Sequence, residues 1–326
     1  MGRFLKIILS LLAGVGLVLG GAVLWGNAQF KRPGPSTTEI TLIIERGAGV
    51  NIIARDLQQA GVLSHQFPFR IMARLEAKEK PLQAGEYAFK AGISPEGVLK
   101  HLQSGKTVVH RVTFAEGLTT SEILAQLGLT NGLKGFVRPI PVEGSLLPET
   151  YHFSFADQRQ AIINRMRRDM QGLLVRLWAN RAADLPLRSA KEALVLASIV
   201  EKETSLAVER PRIAGVFINR LNKGMRLQSD PTVAYGLTEG NGGIGRALSR
   251  ADLKQPSAYN TYLIDGLPPE PICNPGSASL EAVLRPAPTK ELYFVADGSG
   301  GHVFAKTLKA HNRNVARWRK INKNRN

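Results

Sequence analysis

The stretch Ser189–Thr204, SAKEALVLASIVEKET, decides how the larger part of this chain is read. Ser189 with Glu192 three residues on is a capping-box signature. Ala193 to Val200 is apolar except for Ser198. A helix apolar nearly all round is buried, so the segment predicts the central helix of a core. Glu201 follows at helical spacing above Leu194 and Ala197 and continues that stripe. A carboxylate there is expensive unless paired or protonated. Desolvation favours the protonated form, the one a general acid needs. Glu203 lies about 200° round the helix and reads as less confined. Helix geometry alone leaves a second reading open, in which the helix surfaces at Glu201 and Lys202 or Arg210 pairs with it.

Outward from this helix, Pro211 starts another, with Ile213, Val216, Phe217 and Leu221 inward and Gly224 at its end. Three loops follow, at 225–236, 257–262 and 266–276, dense in Tyr, Asn, Gln, Thr and Asp. Such side chains supply stacking faces and hydrogen bonds for sugar rings, and loops on a rigid scaffold commonly carry binding residues. Upstream, Arg159 to Arg181 reads as a long helix with an arginine face, which simple solvation explains.

The N-terminal half alternates short strands and helices. Glu39–Glu45 reads as a strand, Asn51 as the cap of a helix ended by Gly61, and about Phe67–Ala77 as a second helix. Gly85–Phe89 reads as a strand, Ser94-Pro95 as the start of a helix ended by Gly105, and Thr107–Phe114 as a strand. Gly92-Ile93-Ser94, Gly117-Leu118-Thr119 and Gly49-Val50-Asn51 each precede a short amphipathic helix. That echo is either a generic turn-then-helix pattern or the mark of a glycan-holding module. The segment from about Glu39 to Gly105 resembles a LysM-like strand–helix–helix–strand unit in length and pattern.

From Ile7 to Phe30 no side chain is charged, and Trp25 stands where an interfacial aromatic is expected. About 20 helical residues at ~1.5 Å rise span a ~30 Å hydrocarbon core. Gly26-Asn27-Ala28 offers a signal-cleavage pattern, but the stretch exceeds a usual signal core, which favours an uncleaved single-pass anchor. A short N-terminal tail before a long remainder favours the N-terminus inside and the body on the extracytoplasmic, periplasmic side of the cell inner membrane.

The 326 residues include 43 Lys+Arg against 26 Asp+Glu, a formal charge of +17. Nucleic acid, anionic lipid and an anionic polymer are the partners such a charge admits, and an exported body removes bulk nucleic acid. A hydrophobic content of 44% excludes wholesale disorder. A lone Cys273 excludes an internal disulfide framework and reads as structural. The six histidines show no metal-ligand spacing, and His302 and His311 read as packing or hydrogen-bonding residues. No cofactor is indicated. Beyond Asp297 the chain carries only basic charges: Lys306, Lys309, Arg313, Arg317, Arg319, Lys320, Lys323 and Arg325.

Ala197–Thr204 (ASIVEKET), Phe217–Leu221 (FINRL), Leu227–Val233 (LQSDPTV) and Tyr259–Tyr262 (YNTY) together resemble the YceG-like family of membrane-bound endolytic murein transglycosylases. Glu143–Tyr151 (EGSLLPETY) is similar to the family's Glu-Gly-x-Leu-x-Pro-acid-Thr-Tyr element, although Ser145 stands where an aromatic residue is common. Leu267–Pro269 through Asn274–Gly276 fits too. The resemblance covers essentially the whole chain. It implies cleavage of the β-1,4 bond between N-acetylmuramic acid and N-acetylglucosamine within nascent peptidoglycan strands. No water enters, a 1,6-anhydromuramyl end is left, and glycan elongation stops. Glu201 matches the family's catalytic Glu, acting as acid and then as base. Glu149, Gln228, Asp230, Tyr259 and Asn260 are candidates for binding sugar or steering Glu201, with loop-fixing as the alternative. The implied partners are glycan strands, the membrane and peptidoglycan synthases. A reading from another class is a peptidoglycan-binding scaffold that has lost catalysis; the intact Glu201 motif argues against it.

The expected fold is α+β. Residues 1–30 form a cytoplasmic tail and transmembrane helix, 31–38 a short stiff linker, 39–108 the LysM-like subdomain, and 109–326 a larger mixed α+β catalytic domain. In that domain the helix carrying Glu201 is expected to lie against a mixed sheet.

Overall fold

The computed structural model describes residues 2–76 and 79–323. The chain is mixed α+β and divides into two compact units, Met1–His110 with Phe153–Ala156, and Arg111–His152 with Asp157–Asn326.

The first unit opens with α1 (Gly2–Lys31). Its span Phe4–Lys31 is long and apolar enough to cross a membrane, and its large apolar side chains from Phe4 to Trp25 are uncovered. Phe30, at its end, is buried in the core of this unit. Then come β1 (Ile40–Ile44), α2 (Val50–Gln59), α3 (Gln66–Glu76), β2 (Gly85–Phe89) and α4 (Pro95–Ser104). β1 and β2 pair antiparallel, Ile40 opposite Phe89 and Ile44 opposite Gly85. Leu57, Phe69, Tyr87, Phe89, Leu99 and Leu102 fill the core between helices and hairpin. Each such side chain contributes roughly 1.5–3 kcal/mol by leaving water.

Local signals act as expected at α4. Ser94 Oγ accepts the Gly97 N–H at 3.2 Å, and Gly105 closes the helix with φ 66°. At α2 they do not. The cap is Gly49, without a side-chain bond, and Asn51 Oδ1 instead accepts from Arg74 Nη2 at 2.9 Å. Placed inside the first turn, Asn51 is taken by a cation on α3. Ala77, the expected end of α3, lies outside the described residues. The expected linker is tied down, since Gly34 N–H donates to Ile93 O at 3.1 Å and Gly92 N–H to Ser36 O at 2.8 Å.

β3 (Val109–Thr113) and β4 (Thr150–Ser154) form a second two-stranded sheet, and the unit boundaries fall inside both strands. The second unit also holds α5 (Thr120–Leu129), α6 (Arg159–Ala179), α7 (Ala190–Glu203), α8 (Arg210–Asn222), α9 (Asp230–Thr238) and α10 (Ser277–Leu284). A hairpin of β5 (Tyr293–Ala296) and β6 (His302–Ala305) and then α11 (Leu308–Lys323) complete it. Arg325, the last basic residue, lies outside the described residues.

α7 is the buried axis of this unit. Leu196, Ala197, Ile199 and Val200 pack with Phe217 of α8, Leu280 and Val283 of α10, and Met170 of α6. No mixed sheet backs it: the sheets among the described residues are three two-stranded pairs, and α6, α8, α9 and α10 pack on α7. A sheet covers one face of a helix, whereas a helix apolar all round needs cover on every side. The capping box is half formed. Ser189 Oγ accepts the Glu192 N–H at 3.2 Å, but the Glu192 carboxylate takes the Arg188 N–H at 2.6 Å.

Candidate active site

α7 leaves the core at Glu201, whose side chain is still only 4% exposed. Its Oε2 accepts the Gly276 N–H at 2.9 Å, and its Oε1 accepts from Arg210 Nη2 at 3.1 Å. The same Nη2 donates to Glu116 Oε2 at 3.2 Å. The geometry thus combines the two sequence readings: Glu201 is confined, and Arg210 pairs with it. Burial and the nearby Glu201 charge push the Glu116 carboxyl above its ordinary range, against the pull of Arg210.

Two loops clasp each other over this carboxylate. Gly117 N–H donates to Asn274 O at 3.0 Å, and Asn274 N–H returns to Leu118 O at 2.9 Å. Gly117 makes its turn at φ 78°, a conformation glycine adopts without strain. Lys202 Nζ donates to Gly117 O at 3.2 Å. Beneath the clasp Glu143 is a half-buried anchor, accepting from the Thr120 N–H (2.9 Å), Thr120 Oγ1 (3.0 Å) and Asn274 Nδ2 (3.0 Å). Burial raises its carboxyl pKa.

Glu203 departs from its reading as the less confined residue. Burial pushes its carboxyl up to about 7, with the Asp230 charge adding to the effect and the Ser229 hydroxyl, which donates to it, opposing. The chain around Ser229 curls back over the end of α7 and encloses this carboxyl.

The five candidate binding residues fall in different places. Glu149 is exposed, its carbonyl accepts the Phe114 N–H at 3.1 Å, and its charge reaches Glu116. Asp230 opens α9, and its Oδ1 accepts from the Tyr262 hydroxyl at 2.6 Å. It lines a cleft of about 490 Å³ with Lys202, Tyr235 and the Gly-rich segment 240–245. Tyr259 stands against Tyr235, which lines that cleft, with ring centroids 4.8 Å apart. Gln228 is exposed at φ 49°, a left-handed conformation sparsely populated outside glycine, and its N–H donates to Thr261 O at 3.1 Å. Asn260 is buried and loop-fixing. Its Nδ2 donates to Leu253 O (3.1 Å) and Gln255 O (2.8 Å), and its Oδ1 accepts the Tyr262 N–H (3.0 Å).

Glu116 escaped sequence reasoning, because a lone Glu before a Gly turn carries no pattern of its own. Gly276 and Asn274 lay inside a recognised motif without a role. Cys273 is buried, with Sγ 3.3 Å from Ser198 O, and burial raises its thiol pKa. His302 Nδ1 bonds Glu209 Oε2 at 2.7 Å, and His311 stacks on Tyr293 at 5.2 Å, so both pack or hydrogen-bond as expected. Among the described residues no cluster of three or more His, Cys, Asp or Glu side chains is placed to hold a metal ion.

Comparison with known proteins matches residues 42–317 to the YceG-like family. An endolytic murein transglycosylase of Bacillus subtilis is 31% identical over 91% of this chain and 90% of its own length. One from Streptococcus pneumoniae is 29% identical over 85% of this chain and 58% of its own length. The crystal structure of a yceG-like protein from Listeria monocytogenes superposes with a TM-score of 0.53 at 31% identity, covering 85% of this chain and 99% of that one.

Proposed function

This chain belongs to the YceG-like family, and from that premise we propose that it is a membrane-anchored endolytic lytic transglycosylase of peptidoglycan. Glu201 gives its proton to the oxygen joining C1 of N-acetylmuramic acid to N-acetylglucosamine, and that C1–O bond breaks. The muramyl 6-hydroxyl then bonds to C1, and its proton passes to the Glu201 carboxylate. One C–O bond replaces another, one proton moves between oxygens, and no water is consumed. Ordinary glycosidases divide these duties between two carboxylates. Here the incoming group is part of the sugar, so one carboxyl serves in turn as acid and base.

The observation that carries this reading is the setting of Glu201. It stands in the last turn of a buried helix, and its two oxygens are held by a backbone N–H and a guanidinium. That arrangement fixes the carboxyl's orientation and stabilises the anion left after proton donation. Glu149, Gln228, Asp230 and Tyr259 are proposed glycan contacts. Asn260 shapes the loop that presents Tyr259.

The finer parts of the proposal concern location. Residues 1–30 form the tail and anchor in the cell inner membrane, 31–38 the connection, 39–108 a LysM-like glycan-holding subdomain, and 109–326 the catalytic domain on the extracytoplasmic side. The uncovered apolar length of α1 supports the anchor. The order β1–α2–α3–β2, with its strands antiparallel, supports the LysM-like reading. Such an enzyme terminates nascent strands beside the synthases that extend them.

Digestion of purified sacculi by the full-length protein in detergent tests the reading. Products ending in 1,6-anhydromuramic acid are expected, lighter than hydrolytic products by one water. Glu201→Gln should lower the rate roughly 10²–10⁴-fold with unchanged circular dichroism. Wild-type-like release of anhydro ends by that variant overturns the assignment.

A further inference from the structure

We infer that Glu116 and Arg210 are positioning residues that set when Glu201 holds its proton, by sharing a single guanidinium nitrogen between two carboxylates. The inference rests on the proposed role of Glu201. Arg210 Nη2 lies 3.1 Å from Glu201 Oε1 and 3.2 Å from Glu116 Oε2. Its buried Nε has no hydrogen-bond partner among the described residues. Nη2 carries two N–H bonds, one for each carboxylate, so the two acids are coupled through the position of a single cation: moving it toward one draws it from the other. When Glu201 is protonated, Arg210 turns toward Glu116. When Glu201 gives its proton away, Arg210 is available to the new anion.

Gly276 provides the seating for both. Its φ of −78° is open to any residue, so the backbone does not demand glycine. What it supplies is space, because a Cβ there would run into the Glu116 carboxylate. Its N–H meanwhile holds Glu201 Oε2. Other charged and titratable neighbours are Lys202, whose amine is tied to Gly117 O, Glu149, whose charge reaches Glu116, and the buried Cys273 thiol, itself reached by the Glu122 and Glu143 charges. The hydrogen bonds and ion pairs of Arg210 go to Glu116 and Glu201 and to none of these.

The test is the pH profile of kcat/KM for release of anhydro-ended glycans by the full-length protein. Glu116→Gln leaves Arg210 wholly to Glu201, so the acid gives up its proton more readily. The alkaline limb should move roughly one pH unit down, the lower end of what a nearby charge does. Arg210→Gln removes the cation and should move that limb roughly one unit up. Gly276→Ala keeps its N–H but displaces Glu116, and should follow Glu116→Gln. A merely structural role would change rate or melting temperature without opposite shifts of the limb. Profiles that superpose on wild type, or Glu116→Gln and Arg210→Gln shifts of the same sign, overturn the inference. If Arg210→Gln does not fold, Glu116→Gln and Gly276→Ala decide it by the same shift. Glu201→Gln separates the two levels. Full activity in that variant sinks the catalytic reading, whereas an inactive Glu201→Gln with a wild-type Glu116→Gln profile sinks only this one.

Discussion

Asn274 Nδ2 donates to the half-buried Glu143 carboxylate at 3.0 Å, joining two segments 131 residues apart in the chain. The same amide reaches Leu118 O and Thr120 Oγ1 at 3.1 Å, and its oxygen accepts the Leu146 N–H at 2.9 Å. One side chain thus ties three segments together under the carboxylate cluster.

Asn274→Ala should lower stability by about 3 kcal/mol. It strands the buried Leu146 N–H, and an unsatisfied group of this kind costs about 1–3 kcal/mol; it also takes one of several donors from the half-buried Glu143 carboxylate. Urea unfolding followed by tryptophan fluorescence measures the loss. A change below about 0.5 kcal/mol would show that water or a neighbour replaces the amide.

Glu203 makes stability depend on pH. Its folded carboxyl titrates at about 7, above the ordinary value for an unfolded chain, so the folded state holds this proton more firmly. The stability it contributes is complete below about 4.3 and is lost as pH rises through about 7. Glu203→Gln imitates the protonated form and keeps an acceptor for Ser229. Denaturation at pH 4 should find the variant close to wild type, and at pH 8 more stable by up to about 3 kcal/mol. An equal difference at both values would remove Glu203 from the pH response.

The exposed residues Lys309, Arg313, Arg317 and Lys320 recur at helical spacing along α11, while His311, Val315 and Trp318 face inward. That stripe concentrates part of the +17 charge on one surface. Changing the four to Gln should weaken sacculus binding several-fold at low salt and little at high salt, since exposed charges are screened within about 10 Å at 0.1 M. Sedimentation with sacculi across a salt series measures this. Equal binding by both proteins at every salt concentration would assign the stripe no part in attachment. Truncation at Arg313 is a poorer probe, because Ile321 packs at Gly298 and the helix is part of the fold.

Much of this architecture was legible in local signals. Ser94, Gly105, Ser189 and Pro211 mark helix ends because caps act within one turn. The all-round apolar run Ala193–Val200 announced a buried helix for the same local reason. What surrounds that helix was not legible. A continuous apolar face reports that it is covered, but not whether by strands or by helices. The site divides along the same line. Glu201 was readable from its place on the stripe, and Arg210 as one of two partners. Glu116 and Asn274 act through contacts 94 and 131 residues away in the chain, and no spacing rule reaches that far. Glu203 was misjudged because the Ser229–Asp230 segment that encloses it comes from another part of the chain.

Cys273 adjoins Asn274 in the loop that ends at Gly276 and holds Glu201. As the chain's lone sulfhydryl, buried and directed at a carbonyl, it leaves the folded protein silent to maleimides. A cysteine introduced on the surface is then the single attachment point for a fluorophore or spin label. The slow alkylation of Cys273 itself becomes a clock, ticking only when the 273–276 loop lifts away from the helix below it.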